Sequence, residues 1–179
     1  MSPLAHTVRS YVELTKPRVL TLVIFTGLPA MTLAAGEWPA PGFALATLLG
    51  ISLAAGSANA LNCYIERDSD ALMERTRSRP LPGARMQPGR ALAFGIALSA
   101  LATAILWGAG GPLAAGLGLA TILFYVFVYT VWLKPRSSWN AVIGGAAGAA
   151  APLIADAAVN GSVGPAGLVL FALVFFWQP

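Results

Sequence analysis

Asn62, Glu66 and Asp70 stand four residues apart, and Arg75, Arg77 and Arg79 follow closely. On a continuous helix, residues four apart share a face, so the first three would form one polar stripe that Glu74 extends by a turn. Asp68 would point about 200° away from Glu66, off that stripe. Stacked carboxylates repel, and either neighbouring arginines or a hard divalent cation must offset them. Mg²⁺ takes oxygen ligands, commonly one or two carboxylates completed by substrate phosphate and water. The downstream guanidinium groups suit phosphate oxygens. The set therefore fits a lipid diphosphate held through Mg²⁺. The same run also reads as a solvated loop of ordinary ion pairs, and the four-residue period at a helix end is what speaks for a site.

The elements that must position this set are membrane helices. Hydrophobic residues make up 57% of the 179 and charged residues only 10%, against roughly 25% charged in a soluble domain. Such a chain cannot hide its apolar surface in a globule of this size, so lipid is its solvent. One cysteine, Cys63, excludes a disulfide scaffold. A span needs about 20 apolar residues. Six apolar runs qualify or begin to, at about 19–36, 42–65, 91–110, 113–133, 139–155 and 165–179. The sequence thus predicts an all-α polytopic membrane bundle of five complete spans plus a truncated sixth. A single domain fills 1–179, its catalytic loop lying at about 62–90.

Connections between these runs alternate in charge. The N-terminus, the 66–90 segment and the 134–136 segment carry all eleven Lys and Arg residues; the other three connections carry none. By the positive-inside rule, the first group is cytoplasmic. The net charge of +4 is then a matter of topology, and no nucleic-acid partner is implied. No cleavable leader is expected, since the N-terminus lacks the apolar core and small-residue cleavage site of one. Lys16-Pro17-Arg18 and Lys134-Pro135-Arg136 each precede an apolar run, where lipid anchoring is the plain reading. His6 reads as a surface histidine, Cys63 as a packing residue and Asp156 as the start of a solvated loop. The aromatic-rich fourth run (Phe124, Tyr125, Phe127, Tyr129) and Tyr64 read as packing or lipid contact, with a prenyl channel as the alternative.

The stretch from Asn62 to Pro80 resembles the UbiA superfamily of intramembrane prenyltransferases. The family's first acidic motif, N-x-x-x-D-x-x-x-D, is matched by Asn62, Glu66 and Asp70, with Glu in place of the first Asp. Arg75-Thr76 and Arg79-Pro80 match the R-T-x-x-R-P continuation. Within the superfamily the resemblance is closest to the branch that farnesylates protoheme IX, carried by Thr15 through Val19, Ala60 through Cys63, Asp68 through Met73, Tyr129 through Lys134 and Asn140 through Gly145.

The resemblance implies nine spans around a cavity, and transfer of farnesyl from farnesyl diphosphate to a vinyl group of heme B, giving heme O. It implies Glu66 and Asp70 as Mg²⁺ ligands, Asn62 as the third catalytic residue, and Arg75, Arg79 and Lys134 as diphosphate ligands. It also implies a bacterial inner-membrane location and association with a heme A synthase. The family's second acidic motif would fall after Pro179, as would a His-containing segment following Trp177-Gln178-Pro179, so the sequence reads as the N-terminal portion of a longer enzyme, inactive alone. Where the family more usually has Lys-Arg-x-Thr, this chain has Lys134-Pro135-Arg136-Ser137-Ser138. Alternatives are an aromatic or quinone-precursor prenyltransferase, a transporter or a non-catalytic membrane subunit. Charges at span ends rather than at the midplane speak against a transporter.

Overall fold

A computed structural model describes residues 3–177; Gln178 and Pro179, which close the sixth predicted run, lie outside the described residues. Proline opens most of the long helices, where its missing N–H costs no intrahelical bond. Thus α2 runs Pro17–Ala35, α3 Pro41–Ile65, α5 Pro88–Leu123 and α8 Pro165–Trp177. Between and around them lie α1 (Pro3–Thr15), the short α4 (Arg67–Leu72), a π-helix (Phe124–Leu133), α6 (Asn140–Gly148) and α7 (Ala151–Asn160). Among the described residues there is no strand.

Within α5 the third and fourth predicted runs are two helical arms joined by a kink at Gly111, where the chain reverses. At Gly111 the backbone takes φ 78° and ψ −177°, a conformation essentially reserved for glycine, and Pro112 restarts the helix. A Cβ added at Gly118 would sit 2.6 Å from the Leu106 side chain. Twelve residues of straight helix would separate the two by about 18 Å, so the arms on either side of Gly111 fold back on each other. Among the described residues, four helical stretches are long and apolar enough to cross a membrane: 17–35, 41–65, 88–133 and 140–160. The reversal divides the third into two arms, which accounts for five of the six predicted runs. The sixth, α8, is apolar but shorter.

Small residues let these helices approach closely, as membrane packing requires. A Cβ at Gly50 would meet Leu106 at 2.7 Å, and one at Gly95 would meet Leu61 at 2.7 Å, so α3 and α5 touch nearly backbone to backbone. Ser57 Oγ donates to the Gly95 carbonyl across the same seam at 2.8 Å. Val23, Met31, Ile51, Leu106 and Ile154 join α2, α3, α5 and α7 in one core. Large side chains such as Phe25, Leu45, Trp107 and Leu173 point outward, as expected of a lipid-facing surface.

The N-terminal segment is helical: α1 packs Leu14 and Tyr11 inward, Tyr11 lying edge-on to Phe94, while His6 is exposed, as its surface reading expected. One expectation is corrected. Asp156 is not in a loop. It is fully buried within α7, and its carboxylate accepts from the Gly164 amide at 2.7 Å, the Gly167 amide at 3.2 Å and Asn160 Nδ2 at 2.7 Å. Amides at the start of α8 have no intrahelical acceptor, and the buried Asp156 carboxylate supplies one. Cys63 is a buried packing residue, as its position suggested.

Candidate active site

The acidic stripe forms at the end of α3. That helix closes at Ile65, Glu66 turns with φ −86° and ψ 2°, and α4 resumes at Arg67. Hydrogen bonding carries through the break: the Glu66 amide donates to Asn62 O at 2.9 Å and the Asp70 amide to Glu66 O at 2.8 Å. The four-residue period is therefore preserved, and Asn62, Glu66 and Asp70 are 2%, 9% and 1% exposed. Glu74 does not extend the stripe. Met73 turns to an extended conformation (φ −100°, ψ 129°), and Glu74 is exposed beside Arg77. Asp68 points out to solvent beside Arg67, as the helical angle requires.

Each member of the stripe is met by its own cation, and each cation comes from a different part of the chain. Lys16 Nζ donates to Asn62 Oδ1 at 2.9 Å. Lys134 Nζ lies 2.5 Å from Glu66 Oε1, and Arg79 Nη1 donates to Asp70 Oδ2 at 2.7 Å. Asn62 Nδ2 in turn donates to Thr130 Oγ1 at 3.1 Å. Thr130 and Lys134 belong to the wide winding of the π-helix: Thr130 Oγ1 donates to the Tyr125 carbonyl at 2.8 Å, and the Lys134 amide to the Tyr129 carbonyl at 2.9 Å. Such windings cost hydrogen-bond quality and concentrate at functional sites. The Lys134 ammonium also sits 5.9 Å above the Tyr129 ring. Gly144 gives that ring its room, since a Cβ there would lie 2.5 Å from Tyr129 Cδ2.

Lys16 is held where an L-residue is strained, in the left-handed region at φ 53° and ψ 70°, between α1 and α2. Burial pulls its ammonium below the usual lysine range, although Glu66 opposes this. Lys16 also lines an apolar chamber of about 170 Å³ with Val19, Val23, Ile51, Ala54, Tyr125 and Ile154. Lys16 is thus common to the apolar chamber and the acidic face.

The UbiA prenyltransferase family model matches residues 23–179. The chain belongs to this family. Its curated relatives include the protoheme IX farnesyltransferase of Acidiphilium cryptum, 50% identical over 99% of this chain and 56% of that protein. That of Symbiobacterium thermophilum is 49% identical over 97% of this chain and 58% of that protein. The chain therefore spans a little over half the length of these relatives. The fold is that of two solved membrane proteins. One, described as digeranylgeranylglyceryl phosphate synthase in membranes, superposes with a TM-score of 0.82 at 18% identity, over 94% of this chain and 58% of that one. The other, a UbiA homolog from Archaeoglobus fulgidus bound to DMAPP and Mg²⁺, gives 0.74 at 20% identity, over 94% of this chain and 60% of that one.

Of the six residues singled out from the sequence, five converge. Arg75 does not: it is exposed on the turn region after α4, while Thr76 beside it is buried and donates to the Asp70 carbonyl at 2.8 Å. Arg136 turns back onto the Val131 and Trp132 carbonyls and closes the π-helix. Lys16 and Thr130 join the site without having been singled out for it. The signal for Lys16 was the Lys-Pro-Arg triplet it shares with Lys134; both triplets deliver their lysine to the stripe. Thr130 gave no signal.

The donors suit a hard cation. Among the described residues, no three acidic, His or Cys side chains converge; Glu66 and Asp70 are the two carboxylates on the face. Each spends one oxygen on its protein cation, and no described residue donates to Glu66 Oε2 or Asp70 Oδ1.

Proposed function

We propose that this chain is the diphosphate-binding part of an enzyme that transfers farnesyl from farnesyl diphosphate to a vinyl group of heme B, giving heme O. The observation that carries the reading is the buried Asn62–Glu66–Asp70 face, each member on its own cation, with Lys16 shared between that face and an apolar chamber. Relatives named protoheme IX farnesyltransferase at about half identity support the choice of acceptor and donor.

Glu66 and Asp70 would hold Mg²⁺ through their unspent oxygens. When bound, Mg²⁺ neutralises charge on the departing diphosphate. Lys16, Arg79 and Lys134 stand around the same face and donate to diphosphate oxygens as the allylic C–O bond breaks, with Arg75 reaching the outer phosphate from the turn region. Asn62, fixed between Lys16 and Thr130, keeps the face in register. The apolar chamber excludes water from the allylic cation until the vinyl carbon attacks and forms the C–C bond; water then captures the resulting cation and a proton is released.

The basic end of the bundle faces the cytoplasm of a bacterial inner membrane, and the product passes to an associated heme A synthase. The test is farnesyl transfer by the longer protein that carries this chain. Glu66→Ala with Asp70→Ala is expected to abolish heme O formation; an unchanged rate would remove the assignment. With heme B and 4-hydroxybenzoate offered in competition, heme B is expected to be the acceptor; prenylated 4-hydroxybenzoate would instead make the protein an aromatic prenyltransferase.

A further inference from the structure

Beside the acidic face lies a second cavity, of about 610 Å³, most of whose wall the reaction above leaves unused. Arg9 and Glu13 of α1, Lys16, Arg79 and Arg85 line it, over Cys63. Glu13 is clamped from both sides. Arg9 Nε donates to its Oε1 at 2.8 Å, and Arg85 Nη2 donates to its Oε2 at 2.6 Å and to the Ser78 carbonyl at 2.8 Å. The Arg85 guanidinium, foremost, holds the Glu13 carboxyl below the usual carboxylate range.

Charge in this cavity does not balance. Arg9, Lys16, Arg79 and Arg85 contribute four positive charges, and their carboxylate partners are Glu13 and Asp70, leaving two uncompensated. Donors are also left over. No described residue accepts from either Nη of Arg9, from Nη1 or Nε of Arg85, from Nη2 or Nε of Arg79, or from two of the three Lys16 N–H groups. A concave wall with surplus positive charge and converging unspent guanidinium donors calls for a compact anion with many oxygens. Lys16 and Arg79 touch the acidic face as well, so the two sites share two cations.

We propose that this cavity is a second anion site, which takes the inorganic diphosphate released at the acidic face and holds it on its way out. An anion moving from one site to the other keeps Lys16 and Arg79 as partners throughout, and exchanges Lys134 for Arg9 and Arg85. The order of events rests on the function proposed above; the binding itself does not.

The experiment is equilibrium binding of radiolabelled inorganic diphosphate to the longer membrane protein that carries this chain, in neutral phosphatidylcholine nanodiscs, with EDTA present so that no metal-bridged complex contributes. Wild type is expected to bind, and Arg85→Gln to weaken binding about tenfold. Arg9→Gln, at an exposed position, gives the same direction should Arg85→Gln fail to fold. Glu13→Gln is expected to tighten binding, because it removes the opposing charge and frees both arginines, whereas a merely structural bridge would make it weaker. Glu66→Gln, which removes a negative charge near Lys16, should not weaken binding while it changes transfer activity, so a failure of the proposed function is seen separately. Binding indifferent to Arg85 and Arg9, weakened by Glu13→Gln, or lost with Glu66→Gln would overturn the proposal. Binding seen in phosphatidylcholine discs but lost in phosphatidylglycerol discs would assign the cavity to a lipid headgroup and overturn it equally.

Discussion

Asp70 and Arg79 form a pair whose two halves are not equivalent, and the difference can be measured. The Asp70 side chain is 2% exposed and that of Arg79 27%. Removing the cation leaves a buried carboxylate without a partner, a loss of about 3–5 kcal/mol. Water reaching through the space left by Arg79 places the loss at the lower end, about 3 kcal/mol. Removing the carboxylate charge leaves a guanidinium that rehydrates where it already meets solvent, a loss of about 1–2 kcal/mol. At roughly 2–4 °C per kcal/mol for a chain of this size, Arg79→Met should lower the melting temperature by about 6–12 °C and Asp70→Asn by clearly less. The double variant Asp70→Leu with Arg79→Met should fall less than Arg79→Met alone, since apolar replacement of both partners is tolerated. Cys63, the only cysteine and 3% exposed, supplies the probe: a fluorogenic maleimide reacts with it as the fold opens. Equal losses for the two single variants, or an additive double variant, would refute the buried-pair reasoning.

Asp156→Ala should cost about 2–3 kcal/mol, because the bonds it loses are charge-assisted and buried; faster hydrogen exchange at the Gly164 and Gly167 amides would confirm it, and unchanged exchange would not fit. Gly111→Ala forces a Cβ into a backbone conformation that only glycine takes readily, and should cost about 1–3 kcal/mol, read by the same thermal assay. The folded-state pKa of Glu13 is depressed, so the stability it contributes is present above the ordinary carboxylate range and is lost as pH falls through its lowered pKa. Melting temperatures taken downward from pH 6 should therefore fall further for wild type than for Glu13→Gln, and parallel curves would contradict this.

Much of this architecture is legible before any coordinates. Span positions follow from apolar length, helix starts from proline, and the one-sided charge from topology, because each is a property of a local segment in lipid. The stripe is legible for the same reason: Asn62, Glu66 and Asp70 are one turn apart, and the turn at Glu66 is too slight to rotate them out of line. Partners are a different matter. Lys16 meets Asn62 across 46 residues and Thr130 meets it across 68, and no local pattern encodes such distances. Arg75 and Arg79 look equivalent in the motif, yet the chain leaves the helix at Met73, which aims only Arg79 back at Asp70. Asp156 followed by Val-Asn-Gly-Ser imitates a loop because the real loop starts a turn later; its role depends on how the next helix, α8, folds back to present its first amides. The α1 helix is short and half polar, and its helicity rests on packing Leu14 and Tyr11 rather than on any run of apolar residues.

The central claim, that the Glu66–Asp70 face takes a prenyl diphosphate through a divalent metal, is tested most directly by binding of labelled farnesyl diphosphate as a function of Mg²⁺, in the longer membrane protein that carries this chain. Wild type should bind at least about tenfold more tightly with saturating Mg²⁺ than in EDTA, and Glu66→Gln together with Asp70→Asn should remove that dependence. Binding that responds to Mg²⁺ identically in wild type and in the double variant would contradict it.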